Sequence, residues 1–184
     1  MKITNLTKTF GTKIIFNNAD FTFEEGEITF IMGESGVGKT TLLHILAGLD
    51  TDFTGVISPL GKIAYVFQEP RLFPYTTVID NIKVVNDNSP FDAMELLNLL
   101  ELKGCEKMLP SELSGGMKMR LSIARAIFYD ADVILMDEPF GSLDEDTKKR
   151  IAPKIFELLA GKTVIIVSHS QTDASLYANN IISI

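Results

Sequence analysis

A chain of 184 residues, 46% hydrophobic and 22% charged, has the size and balance of one globular domain with a substantial core. Its net charge of −7, with no Lys/Arg run, argues against nonspecific nucleic-acid binding, and its single cysteine, Cys105, excludes an internal disulfide and a cysteine-based metal cage. No run approaches the roughly 18 apolar residues of a membrane span, and the opening Met1-Lys2-Ile3-Thr4-Asn5 lacks the apolar segment of a signal peptide, so a soluble cytosolic chain is expected.

Residues 3–10 alternate as a strand does, Gly11-Thr12-Lys13 reads as a turn, and a second strand is predicted over 20–23. The turn Glu24-Glu25-Gly26 then leads to the buried strand Ile28-Thr29-Phe30-Ile31-Met32, and the first 30 residues read as antiparallel. A helix follows at 41–47, ending at Gly48, and the stretch 50–61 holds turn residues around a short Val56-Ile57 run. The strand 63–67 is stopped by Pro70. From 71 to about 110 the character becomes helical, with helices predicted over 78–85 and 91–100 as a small insertion. A helix opens at Leu113-Ser114-Gly115-Gly116-Met117 and runs to 128, before the apolar strand 133–136. The next helix, 145–159, contains Pro153, which should kink or divide it. A strand at 163–167, a short helix through Leu176 and a terminal strand at 181–184 finish the chain. Apolar strands alternating with helices imply an α/β protein with a mostly parallel sheet covered on both faces.

The organising stretch is Gly33-Glu34-Ser35-Gly36-Val37-Gly38-Lys39-Thr40, a turn between a strand and a helix. Its glycines let the backbone fold around a polyphosphate, so that N–H groups and the helix start face it. Lys39 supplies a point charge for the β- and γ-phosphates, and the Thr40 hydroxyl is placed for Mg²⁺. Nucleoside triphosphate binding by residues 33–41, Thr41 included, is the expectation.

In a parallel sheet, ligands sit at the carboxyl ends of strands. Asp137 and Glu138 end an apolar strand, so Asp137 is assigned to the metal and Glu138 to the base that takes a proton from attacking water. Gln68 ends its own strand, where its amide can reach Mg²⁺ and the water; alone it would read as a turn residue. His169 ends another strand and can donate to the γ-phosphate, whereas His44 lies within the loop helix and reads as structural. Ser114, Gly115 and Gly116 open a second helix as a second anion site, yet the chain has one triphosphate loop. The two sites are reconciled if one chain's serine-glycine turn closes over another chain's nucleotide, which implies a head-to-tail pair.

Together these residues resemble the nucleotide-binding subunit of ATP-binding cassette (ABC) transporters, over essentially the whole chain. The resemblance identifies the phosphate loop, Gln68 as the Q-loop, 113–117 with Arg120 and Ala124-Arg125-Ala126 as the signature, Asp137-Glu138-Pro139, the D-loop Ser142-Leu143-Asp144, and His169 as the switch histidine. It implies the ABC type of P-loop NTPase, a single domain over 1–184 with a mostly parallel core sheet, an N-terminal antiparallel β subdomain and a helical subdomain at about 71–128. It further implies ATP and Mg²⁺ as cofactors, Phe10 as an adenine-stacking ring, and Asp144 as a nucleotide-site residue. The run Phe67-Gln68-Glu69-Pro70-Arg71-Leu72-Phe73-Pro74 looks like that of bacterial importers of the nitrate, sulfonate and taurine group. The implied partners are a second copy, transmembrane permease subunits docking near Leu72, Phe73, Pro74 and the helices at 78–100, and a solute-binding protein, with no nucleic acid. The implied location is cytoplasmic, on the inner face of the cell membrane through the permeases.

Three departures stand out. Met117 replaces the usual glutamine of the signature, Phe10 the more usual tyrosine, and the chain ends soon after His169, without an added regulatory domain. The alternative reading is a soluble cassette ATPase acting in DNA repair or translation. Such proteins carry a long coiled coil between phosphate loop and signature, or a second cassette, and neither is present here.

Overall fold

The computed structural model describes residues 1–58 and 61–184 and divides into two compact units. Positions 59 and 60 of the expected turn stretch lie outside the described residues.

The first unit comprises residues 1–63, 132–137 and 161–184. Three of its strands form an antiparallel sheet: β1 (Lys2–Phe10) lies between β2 (Lys13–Thr22) and β4 (Thr54–Ile57). Gly11, in the left-handed region at φ 58°, makes the β1–β2 turn. β2 begins at Lys13 rather than at 20 as the sequence predicts. Asn18 sits at φ 49°, and the pairing register shifts between Leu6 and Lys8. That bulge interrupts the strict alternation by which a strand is recognised, and the turn-forming pair Asn17-Asn18 hides a continuous strand.

The other sheet of this unit holds β3 (Ile28–Met32), β6 (Val133–Asp137), β7 (Thr163–Val167) and β8 (Asn180–Ser183), in the order β6-β7-β3-β8. Every neighbouring pair is parallel. The antiparallel reading of the first 30 residues therefore holds through β2 and fails at β3. Ile28, Thr29, Phe30 and Ile31 are all buried, as a strand covered on both faces requires, whereas β1 alternates buried and exposed residues. Register brings Ile31 level with Val167, and Val167 level with Asp137, so the chain leaves β3, β6 and β7 at one edge. Helix α1 (Lys39–Leu46) packs against β6 through buried Leu42, Leu43, Ile45 and Leu46.

The second unit comprises residues 64–131 and 138–160. It contains most of β5 (Ile63–Val66) and the helices α2 (Val78–Lys83), α3 (Ala93–Leu99), α4 (Gly115–Phe128) and α5 (Glu145–Leu158). Thr77 caps α2 and Asp92 caps α3, each accepting from the backbone N–H three residues on, as the sequence chemistry favours. α2, α3 and α4 pack on one another through Ile82, Leu96, Leu97, Leu100, Met119 and Ile123. Fully buried Asn81 accepts from Phe73 N (2.9 Å) and donates to the carbonyls of Phe73 (3.1 Å), Thr76 (2.8 Å) and Thr77 (3.1 Å), which pins the segment before α2.

Of the two outcomes expected for Pro153, division does not occur: α5 runs unbroken from Glu145 to Leu158. The proline and Lys149, whose carbonyl it leaves without a helix donor, both lie on the exposed face, where that carbonyl is open to solvent. Ile151, Ala152, Ile155 and Phe156 hold the other face in the core. After α5, α6 (Gln171–Tyr177) lies in the first unit and completes the helices.

Candidate nucleotide site

The phosphate loop leaves β3 and enters α1 at Lys39. A Cβ at Gly33 would collide with the Ile184 carbonyl oxygen, and one at Gly38, at φ 120°, would lie 2.5 Å from Ile15 Cγ2. The backbone can hold this path only without side chains there. Gly38 is also the N-cap of α1 and offers no side-chain acceptor, so no capping side chain takes up the helix's first N–H groups. Buried Lys39 folds over the loop, its Nζ donating to the carbonyls of Gly33 (2.9 Å) and Glu34 (2.8 Å). Lys13 Nζ donates to Gly36 O at 3.3 Å, adding a second cation that motif spacing does not reveal. Only the β1–β2 pairing carries it there.

Asp137 ends β6 beside the Thr40 side chain. Burial raises its carboxyl above the ordinary carboxylate range, against the opposing pull of Thr40, His44 and Lys39. Its Oδ1 is buried and has no hydrogen-bond partner among the described residues. A buried carboxylate oxygen without a donor, beside a hydroxyl and a phosphate loop, suits Mg²⁺. Among the described residues no group of three or more His, Cys, Asp or Glu could hold a metal. Thr40 and Asp137 would therefore need phosphate oxygens and water to fill an octahedral shell.

His169 follows β7 in a tight turn closed by Ser170 N donating to Ser168 Oγ (3.0 Å), and it is exposed at the same sheet edge. Phe10, at the end of β1, is 53% exposed, with Lys8 Nζ 4.6 Å from its ring centroid. Lys8 is itself buried and anchored by Asp50 (2.9 Å) and the Asp52 carbonyl (2.6 Å). An aromatic face open to solvent is what a stacking partner requires.

The remaining expected residues belong to the second unit. Gln68 follows β5 and is exposed. Beside it Tyr65 and Phe67 stack at 4.2 Å, and Arg71 lies 4.1 Å above Phe67. Arg125, on α4, donates to the Arg71 carbonyl and lies 5.4 Å from the Phe73 ring. Ser114 caps α4, its Oγ accepting from Met117 N at 3.3 Å. That bond uses the backbone of residue 117, so the Met117 departure leaves the cap intact. Glu138 is half-buried at φ 48° and accepts from Gly141 N (3.1 Å) at its carbonyl. Asp144 caps α5 through Thr147 N (2.8 Å), and hydrogen bonds from Thr147 hold its carboxyl below the usual range.

Residues 16–141 match the family model described as ABC transporter. The aliphatic sulfonates import ATP-binding protein of a Bacillus cereus strain is 39% identical over 190 residues, covering 96% of this chain and 76% of that one. One from Pseudomonas syringae pv. syringae is 38% identical over 179 residues, covering 94% of this chain and 75% of that one. Among solved structures, a dimeric ATP-binding cassette in a post-hydrolysis state, bound to ADP and Pi, superposes with a TM-score of 0.85 at 30% identity, covering 100% of this chain and 93% of that one. An ATP-binding subunit of an ABC transporter has the same fold, with a TM-score of 0.87 at 20% identity, covering 100% of this chain and 85% of that one. The expected α/β cassette fold is borne out, and the DNA-repair or translation alternative is not favoured. By its phosphate loop, its fold and its relatives, the chain belongs to the ABC transporter family, as an ATP-binding and ATP-hydrolysing subunit that energises a membrane transporter.

Proposed function

We propose that this chain drives an importer of a small organic anion of the aliphatic sulfonate class, and that it works as a head-to-tail pair closing around two ATP molecules. The observation that carries the pairing is that one chain has two helix starts suited to anions, at Lys39 and at Ser114-Gly115-Gly116, but one triphosphate loop. The solute class is supported by the relatives that import aliphatic sulfonates.

In this reading residues 33–41 hold the triphosphate, with Lys39 on the β- and γ-phosphates, and Phe10 stacks on adenine. Thr40, Asp137 and Gln68 would hold Mg²⁺, which supplies charge neutralisation of the phosphates when bound. Glu138 accepts the proton of the attacking water, and His169 donates to the γ-phosphate as its charge spreads. Ser114, Gly115, Gly116 and Asp144 act on the partner's nucleotide. The segment 71–128 forms the helical subdomain of the cassette and, around Leu72, Phe73 and Pro74, receives the permease. Exposed Phe73 and Tyr75 supply apolar surface for that contact. No helix among the described residues is long and apolar enough to cross a membrane, so attachment to the inner membrane face falls to the permease subunits, served outside by a solute-binding protein.

Mixing a Lys39→Ala chain with a Ser114→Ala chain tests the pairing. Each mixed dimer should retain one intact composite site and recover ATPase activity that neither variant shows alone. Recovery of two active sites per mixed dimer, or of none, would refute the head-to-tail arrangement.

A further inference from the structure

Glu101 is one of five described non-glycine residues with positive φ, at 56°, just beyond the end of α3. This is the left-handed residue of a Schellman helix ending, in which Leu102 N donates to Leu97 O (2.7 Å) and Glu101 N to Asn98 O (3.2 Å), a place that glycine usually takes. Here a glutamate stands in that place, between two arginines. Arg150 on α5 grips the Glu101 carboxylate with both limbs, Nε to Oε1 at 2.7 Å and Nη2 to Oε2 at 2.9 Å. Arg120 on α4 takes the adjoining backbone, its Nη1 donating to Leu100 O (2.7 Å) and Glu101 O (2.9 Å).

Each arginine continues into a segment assigned to the partner's nucleotide. Arg120 Nε donates to Gly116 O at 3.4 Å in the signature turn. Arg150 Nη2 donates to Thr147 Oγ1 (3.1 Å), and Thr147 N donates to Asp144 Oδ1 (2.8 Å) in the D-loop. The two segments nearly touch: a Cβ on Gly116 would lie 3.2 Å from the Ser142 carbonyl oxygen. We propose that Glu101, Arg150 and Arg120 form a brace that holds the signature turn and the D-loop of one chain in fixed register, so that both meet the partner's ATP together. Glu101 and Arg150 are thus positioning residues, and the proposal rests on the head-to-tail reading.

Stability alone does not account for the arrangement. The side chains of Arg150 and Glu101 are 53% and 33% exposed, and an ion pair so open to water adds little to folding. For the helix ending alone, glycine would serve at least as well as glutamate. What the bidentate fork supplies is direction, since a guanidinium and a carboxylate so joined have one relative orientation. The Arg150 hydrogen bonds also hold the Glu101 carboxyl below the usual range, so the brace stays charged at neutral pH.

Glu101→Gly tests this directly, because glycine accepts the backbone conformation and keeps the carbonyls that Arg120 takes, while the Arg150 fork is lost. In the full chain, Glu101→Gly should melt no lower than the parent and bind ATP with unchanged affinity, since the phosphate loop is untouched. Its kcat should fall about tenfold through misplacement of the composite site. The charge-swapped pair Glu101→Arg with Arg150→Glu should recover most of that loss. Unchanged kcat in Glu101→Gly overturns the brace, as does a kcat loss that merely follows a lowered melting temperature in both the glycine variant and the swapped pair. Ser114→Ala, run in parallel, separates the two readings: if it leaves kcat intact, the head-to-tail site fails, whereas a strong loss there with none in Glu101→Gly refutes the brace alone.

Discussion

The two units use the same device, a helix start after a glycine-containing turn, to different ends. In the first, Gly38 leaves α1 without a capping side chain, and Lys39 closes on its own loop carbonyls. In the second, Ser114 Oγ already occupies one N–H of α4, and Arg120, rather than a lysine, takes the Gly116 carbonyl of the turn. The first is built to seize a polyphosphate with its own charge. In the proposed pairing, the second offers a neutral hydrogen-bonding edge to a ligand already bound elsewhere. Under the proposed head-to-tail reading, binding and closure are separate tasks, assigned to separate units.

The sharpest test of that separation is a pair of substitutions. Lys39→Ala should weaken ATP binding about a hundredfold, the loss of charge-assisted hydrogen bonds, as read by nucleotide titration. Glu138→Gln should leave that affinity within about twofold while turnover falls at least about a hundredfold, the contribution of a general base. An equal fall in affinity for both variants would break the division of labour.

Asp137→Asn carries the next effect. It should abolish most Mg²⁺-dependent turnover while making the nucleotide-free chain more stable by about 1 kcal/mol at neutral pH, because a buried charge is removed. The sign follows from the raised carboxyl. The unfolded chain releases this proton first as pH rises from the ordinary value of 3.8, so stability declines as pH rises through the folded value. The variant should therefore out-melt the parent at pH 7 and not at pH 3, as measured by calorimetry.

Phe10→Ala should weaken ATP binding about fivefold to tenfold, the scale of one base stacked on an aromatic ring, whereas Phe10→Tyr should match the parent. The smallest effect belongs to the helical unit. Thr77→Ala removes the α2 cap and should cost about 1 kcal/mol in unfolding free energy without changing nucleotide affinity.

Most of the cassette is legible in the sequence because its signals are local. A strand, a glycine turn and a helix start state the phosphate loop in eight consecutive residues, and the serine-glycine turn at 114–116 marks the start of a second helix. The errors share a cause. β2 reads short because a bulge at Asn18 imitates a turn; β3 reads as paired with its chain neighbours because its partners at 164–167 and 180–183 are far away in sequence; and Pro153 reads as a break that its exposed position does not require. In each case the deciding contact is long-range.

Residue order alone establishes that a triphosphate is bound, which residues could face it, and the family to which the chain belongs, because those depend on short spacings and backbone freedom. Packing is what joins Lys13 to the loop, buries Asp137 with an oxygen left over, and brings Glu101, Arg150 and Arg120 together. Charge pairs between residues 49 positions apart, like Glu101 and Arg150, have no periodicity or spacing to betray them. Only the fold of the unit that holds α3, α4 and α5 brings them into view.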